Sequence, residues 1–186
     1  FVLQAEQLGT AHAVLQAESL LRDQVDLVLV TFGDMPLLTA EIMREIIQTQ
    51  QAHPESAFTM LTVEQQDVRG FGRIIRDASG NIQAIVEDAH ATPEQKAIHE
   101  VNPSVYCFRA DWLWDALERI PVSPKGEYYL TDTVALALAD GRSIQAVRSD
   151  YEAETIGINT RIHLAEAQAL LRQRINHAWM LNGVTM

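Results

Sequence analysis

The chain has 186 residues, 47% of them hydrophobic, and a formal net charge of −11 at pH 7, which suits one well-buried core and excludes a disordered or fibrous polypeptide. With 14 Lys and Arg against 25 Asp and Glu, a phosphate-tracking nucleic-acid surface is excluded, and no apolar run resembles a membrane span or a signal peptide. A single cytoplasmic domain is expected, with no nucleic acid and no membrane among its partners; any polyanionic ligand must be met locally by backbone amides, a few cations and a divalent metal, because the overall field repels it.

Near the start, Gln4-Ala5-Glu6-Gln7-Leu8-Gly9-Thr10-Ala11-His12 places a Gly-Thr step just before a helix. Glycine lets a backbone approach a planar ring, the next amides point outward at a helix N-terminus, and Gln4 offers both a donor and an acceptor to a base edge. Two readings fit: a nucleobase site, and an ordinary loop before a helix. Residues 11–22 carry Ala11, Val14, Leu15 and Leu21 at helical spacing. The run Val25-Asp26-Leu27-Val28-Leu29-Val30 predicts a central strand of a parallel sheet, covered on both faces. Thr39 is expected to cap a helix whose Ile42, Met43, Ile46 and Ile47 form one apolar stripe.

A strand over 57–63 follows the break at Pro54, and strands over 73–76 and 82–86 flank the turn Asp77-Ala78-Ser79-Gly80-Asn81, so the sheet is mixed with an antiparallel ribbon. Thr92, Pro93 and Gln95 start a short helix, and a strand is expected over 100–108. Asp111 is expected to cap a helix over 112–119 that buries Leu113, Ala116 and Leu117, while Trp112 and Trp114 cannot both face the core. A further helix ends at Asp140-Gly141, a strand covers 143–147, and the last long helix covers 161–178. Helices alternating with strands in this way predict an α/β fold.

Ligands of open α/β sheets bind beyond the carboxyl ends of the strands, which puts Gly33-Asp34-Met35-Pro36 in a favoured place. Asp34 suits an oxygen-seeking Mg²⁺ that also bridges substrate phosphates; equally, it shapes the turn before Pro36. Gly70-Phe71-Gly72-Arg73 lets a chain lie against a sugar, with Arg73 or Arg69 answering a phosphate, or is a plain turn. Glu87 and Asn102 are short polar groups at strand ends, the kind that recognise hydroxyls. Asn159 either caps the last helix or gives its amide oxygen to a metal. The six histidines lack zinc-site spacing, the lone Cys107 reads as a buried small hydrophobe, and no Gly-x-Ser-x-Gly hydrolase element occurs.

The blocks Gln4-Ala5-Glu6-Gln7-Leu8-Gly9-Thr10-Ala11-His12-Ala13, Gly33-Asp34-Met35-Pro36-Leu37, Gly70-Phe71-Gly72-Arg73-Ile74, Ile85-Val86-Glu87, Gly126-Glu127-Tyr128-Tyr129-Leu130-Thr131-Asp132 and Gly157-Ile158-Asn159 stand in a telling order. In order and approximate spacing the chain resembles the bifunctional N-acetylglucosamine-1-phosphate uridyltransferase/glucosamine-1-phosphate N-acetyltransferase family over nearly its whole length. The resemblance implies a Rossmann-like nucleotide-diphospho-sugar transferase fold, a mixed, mostly parallel sheet flanked by helices, that makes UDP-N-acetylglucosamine and pyrophosphate from UTP and N-acetylglucosamine 1-phosphate. By this likeness Gln4, Gly9 and Thr10 hold uracil, Gly33 belongs to the nucleotide site, Asp34 and Asn159 hold Mg²⁺, and Gly72, Glu87 and Asn102 hold the sugar with help from Tyr129 and Thr131. No covalent nucleophile is implied.

The chain departs from the family in three ways. Its usual first strand and Gly-rich phosphate loop are lacking, so residues 1–186 are expected to be an incomplete uridyltransferase domain that does not turn over alone. Asn102-Pro103-Ser104 stands where Asn-Thr-Gly is usual, and Phe32 and Phe71 stand where tyrosines are frequent. The C-terminal left-handed β-helix acetyltransferase domain, through which the parent is expected to form a homotrimer, is expected to lie outside residues 1–186. Alternatives are a related transferase for another base or sugar, and a non-catalytic sugar-nucleotide-binding or scaffold domain.

Overall fold

A computed structural model describes residues 1–66, 68, 70–149 and 152–186. Among these residues a seven-stranded sheet runs in the order β1-β6-β2-β5-β3-β4, with β7 paired along β2. The strands are β1 (Leu27–Val30), β2 (Phe58–Glu64), β3 (Gly72–Arg76), β4 (Ile82–Val86), β5 (Glu100–Asn102), β6 (Tyr106–Arg109) and β7 (Ile144–Ser149). The helices are α1 (Thr10–Leu15), α2 (Glu18–Leu21), α3 (Ala40–Ala52), α4 (Pro93–Lys96), α5 (Ala110–Glu118), α6 (Thr133–Ala139) and α7 (Arg161–Leu181).

The sheet is mixed, as expected, but its balance differs from a mostly parallel one. Among the described residues β2 and β7 pair in parallel, while β1 with β6, β2 with β5 and β6, and β3 with β4 and β5 pair antiparallel. β2, rather than β1, is enclosed on both faces. Residues 58–63 are all buried, and their side chains alternate between two cores. Phe58 and Met60 join Tyr106, Phe108, α5 and α6, whereas Leu61 and Val63 join Cys107, Val147 and α3. β1 stands at one end of the strand order and is mostly half-buried. An apolar run reports what the faces of a strand suit, not how many neighbours it has.

Most caps and turns follow local chemistry. Thr39 accepts from the Ile42 amide at 3.4 Å, Thr92 and Gln95 form a capping box, and Asp77 Oδ1 accepts from the Ser79 and Asn81 amides to close the β3–β4 turn. Three further expectations fail. The strand over 100–108 is broken into β5 and β6, because Pro103 lacks an amide and Ser104 has φ 64, outside strand geometry. α5 begins one residue before Asp111, which pairs with Arg109 instead of capping. Trp112 and Trp114 are both buried, since α5 packs on the sheet and also against α1 and α6; Trp112 stacks on Phe108 and donates to Asp140 at 2.7 Å. No helix among the described residues is long and apolar enough to cross a membrane.

Candidate active site

The Gly9-Thr10 step is held by main-chain bonds to a distant part of the chain. The Tyr128 amide donates to Leu8 at 2.8 Å, the Ala11 amide donates to the Tyr128 carbonyl at 3.0 Å, and the Leu130 amide donates to Thr10 Oγ1 at 2.9 Å. Gly9 has φ 104, and a Cβ there would stand 2.5 Å from the Tyr128 carbonyl oxygen. The close approach that requires glycine is therefore made by the 126–132 loop, not by a ligand ring. Gln4 Nε2 donates to Gly9 O at 3.2 Å and lies 2.9 Å from His12 Nδ1. Gln4 thus braces the turn with its nitrogen, and His12 orients it.

The two blocks meet beside a cavity of about 530 Å³. Of the expected residues, Thr10, Glu87, Tyr129 and Thr131 line it, joined by Phe32, Lys125 and Tyr106, which the sequence reading had not assigned to a site. Thr131 Oγ1 donates to Glu87 Oε1 at 3.2 Å, so the carboxylate at the end of β4 is aimed by the loop opposite it. The neighbouring Asp132 has its carboxyl pushed up by burial and then by the charge of Glu87.

Gly72 and Asn102 stand behind this wall. They face each other in the β3–β5 register, and a Cβ on Gly72 would lie 3.7 Å from the Glu87 carboxyl. Asn102 is buried, and its Nδ2 donates to the Tyr106 phenol at 2.7 Å. Its part is to hold the cavity wall. Arg73 does not face a phosphate: it is buried, ion-paired to Asp88 at 2.8 Å, and donates to the Phe71 carbonyl. Arg69 lies outside the described residues.

Gly33 and Asp34, one and two residues beyond cavity-lining Phe32, form a second group with Asn159. The Ile158 amide donates to the Asp34 carbonyl at 2.9 Å, which ties the turn after β1 to the segment before α7. A Cβ on Gly157 would lie 3.6 Å from Asp34 Oδ2 and 3.7 Å from Asn159 Nδ2, so both side chains flank one glycine. The helix cap expected of Asn159 is supplied by Thr160, which accepts from His163 at 3.2 Å, and Asn159 keeps its amide. Among the described residues no hydrogen bond or ion pair engages the Asp34 carboxylate, and no cluster of three or more His, Cys, Asp or Glu side chains occurs. One carboxylate with one amide oxygen fits a hard ion that completes its shell with water and phosphate oxygens.

A different cavity, about 400 Å³, opens where β1 begins. Its cations are already spoken for, Arg22 by Glu18 and Asp115 and Arg109 by Asp111, so it offers an anion little. Cys107 is buried, its thiol pushed up to about 11 by desolvation, and is inert as a nucleophile.

A family model described as "Nucleotidyl transferase" matches residues 1–180. The chain is 42% identical over 186 residues to the "Bifunctional protein GlmU" of Halalkalibacterium halodurans, covering 100% of this chain and 41% of that protein. It is 44% identical over 185 residues to the protein of the same name from Pelotomaculum thermopropionicum, covering 99% and 40%. The chain therefore spans about two-fifths of the length of these curated relatives. Among solved structures, UDP-glucose pyrophosphorylase complexed with UDP-glucose aligns with TM-score 0.68 at 17% identity, covering 92% of this chain and 64% of the other. The CMP:2-keto-3-deoxy-manno-octonic acid synthetase complexed with CTP aligns with TM-score 0.64 at 14% identity, covering 88% and 68%. These two likenesses concern the fold, which is that of the nucleotidyltransferases.

Proposed function

The chain belongs to the nucleotidyl transferase family, and from that premise we propose that it is the uridyltransferase part of a longer bifunctional protein. It forms UDP-N-acetylglucosamine and pyrophosphate from UTP and N-acetylglucosamine 1-phosphate. The longer protein also acetylates glucosamine 1-phosphate through a separate domain, by which it trimerises. The similarity to the two GlmU proteins along the whole of this chain supports the substrate pair.

In this reading Thr10, Gly9 and the side-chain oxygen of Gln4 hold uracil, and Gly33 lies under the phosphates. Glu87, Tyr129 and Thr131 hold the sugar, with Gly72 and Asn102 supporting them from behind. An oxygen of the sugar phosphate attacks the α-phosphorus of UTP in line; the new P–O bond forms as the bond from the α-phosphorus to the leaving oxygen breaks, and pyrophosphate departs. Positioning of the two anions does most of the work, so no enzyme nucleophile is needed. Asp34 and Asn159 would hold Mg²⁺, which supplies charge neutralisation at the phosphates.

The observation that carries the proposal is the convergence of Asp34 and Asn159 on Gly157 while Thr10 of α1, Glu87 just after β4 and residues of the 126–132 loop line one cavity two residues from Asp34. In a full-length protein carrying this chain, UTP with N-acetylglucosamine 1-phosphate and magnesium should release pyrophosphate, and ATP or CTP should be poor substitutes. Absence of pyrophosphate release with every nucleoside triphosphate would leave a non-catalytic binding domain.

A further inference from the structure

Ser104 is one of two non-glycine residues with positive φ among the described residues, at φ 64. This conformation brings Cβ against the backbone and persists only where neighbours enforce it. Here they do: the Ser104 amide donates to Asn102 Oδ1 at 3.0 Å, within the break that separates β5 from β6. The result is a half-buried hydroxymethyl group on the wall of the 530 Å³ cavity.

The hydrogen-bond inventory leaves a donor over. Asn102 Nδ2 gives one hydrogen to the Tyr106 phenol at 2.7 Å and approaches Ser104 Oγ at 3.4 Å with the other. Both hydroxyl oxygens are thereby acceptors of the same amide, and each retains its own proton. The two hydroxyls neighbour each other, and a bond between them uses one proton at most. The other has no acceptor among the described residues, while both residues line the cavity. Tyr106 is fully buried, so its oxygen cannot rotate to bulk water. Glu87 and Thr131, joined by their own hydrogen bond, line the same cavity as the pair.

We propose that the Ser104–Tyr106 hydroxyl pair is a specificity-determining donor that gives one hydrogen bond to an oxygen of the bound sugar, with Ser104 facing the ligand and Asn102 as the positioning residue. The inference rests on the sugar-nucleotide reading above and names a contact within that site. Ser104→Ala removes the hydroxyl and keeps the backbone as it is. Ser104→Gly removes the hydroxyl and relieves the strain, so that variant folds at least as well as the parent.

The test is calorimetric binding of UDP-N-acetylglucosamine and of UDP, with magnesium, to the wild-type, Ser104→Ala and Ser104→Gly chains, beside thermal denaturation of each. Both variants should lose about three- to tenfold in affinity for the sugar nucleotide with affinity for UDP unchanged, and Ser104→Gly alone should melt higher. If Ser104→Gly melts higher and both variants keep the wild-type ratio of the two affinities, the residue is merely structural and the proposal is overturned. If the wild-type chain binds UDP and its sugar conjugate equally, the sugar-nucleotide reading itself fails. The two failures are thus separate measurements.

Discussion

Replacing Gly9 by alanine tests whether the join between the first loop and the 126–132 loop is as tight as the geometry states. The new methyl would sit 2.5 Å from the Tyr128 carbonyl oxygen and 2.7 Å from its nitrogen, both main-chain atoms that cannot rotate away. Backbone at φ 104 and ψ 179 is a region almost reserved for glycine, costing about 1–3 kcal/mol for another residue. Relief by separation would break the Leu8–Tyr128 and Tyr128–Ala11 hydrogen bonds, each worth about 0.5–1.5 kcal/mol. Together the loss is about 2–6 kcal/mol, or about 5–20 °C in melting temperature for a chain of this size. Urea and thermal denaturation of Gly9→Ala measure it, and sugar-nucleotide binding should weaken in parallel because Thr10 moves with the turn. A variant that melts within about 1 °C of wild type would mean that the loops do not depend on this contact.

The remaining predictions concern the proposed magnesium ligands, a helix cap and acid stability. Asp34→Asn and Asn159→Ala should each raise the magnesium needed for pyrophosphate release by at least about tenfold while leaving the melting temperature unchanged, since both side chains are exposed and no hydrogen bond or ion pair engages the Asp34 carboxylate among the described residues. Thr160→Ala removes the oxygen that receives the His163 amide; it should cost about 1 kcal/mol locally and be read as faster hydrogen exchange at His163. Hydrogen bonds from Arg119 and then Trp112 hold the Asp140 carboxyl down at about 2 against an ordinary 3.8. The folded form binds this proton less readily than the unfolded chain, so the stabilisation is present above about pH 4 and is lost as pH falls from 3.8 towards 2. Asp140→Asn should flatten the stability profile in that window; an unchanged profile would show that the Arg119–Asp140 pair does not anchor α5 to α6.

The family and its blocks were legible in the sequence because each block is local. Gly9-Thr10, Gly33-Asp34, Gly126 to Asp132 and Gly157 to Asn159 are short runs whose residue types and order survive being read along a line. Caps and turns were legible for the same reason: Thr39, Thr92 and Asp77 act on amides two to four residues away. Only the tertiary structure decided what each group touches. Tyr128, and not a ligand, is what requires a glycine at position 9, and that contact joins residues more than a hundred positions apart. Burial of both tryptophans depends on α5 being sandwiched, which no helical period on α5 itself can report. The strand order likewise followed from the long-range pairings of β2. Side-chain type and near neighbours are properties of the chain, so the sequence determines motifs, caps and family; register, packing and cavity walls belong to pairs of distant segments, and those exist only once the chain has folded.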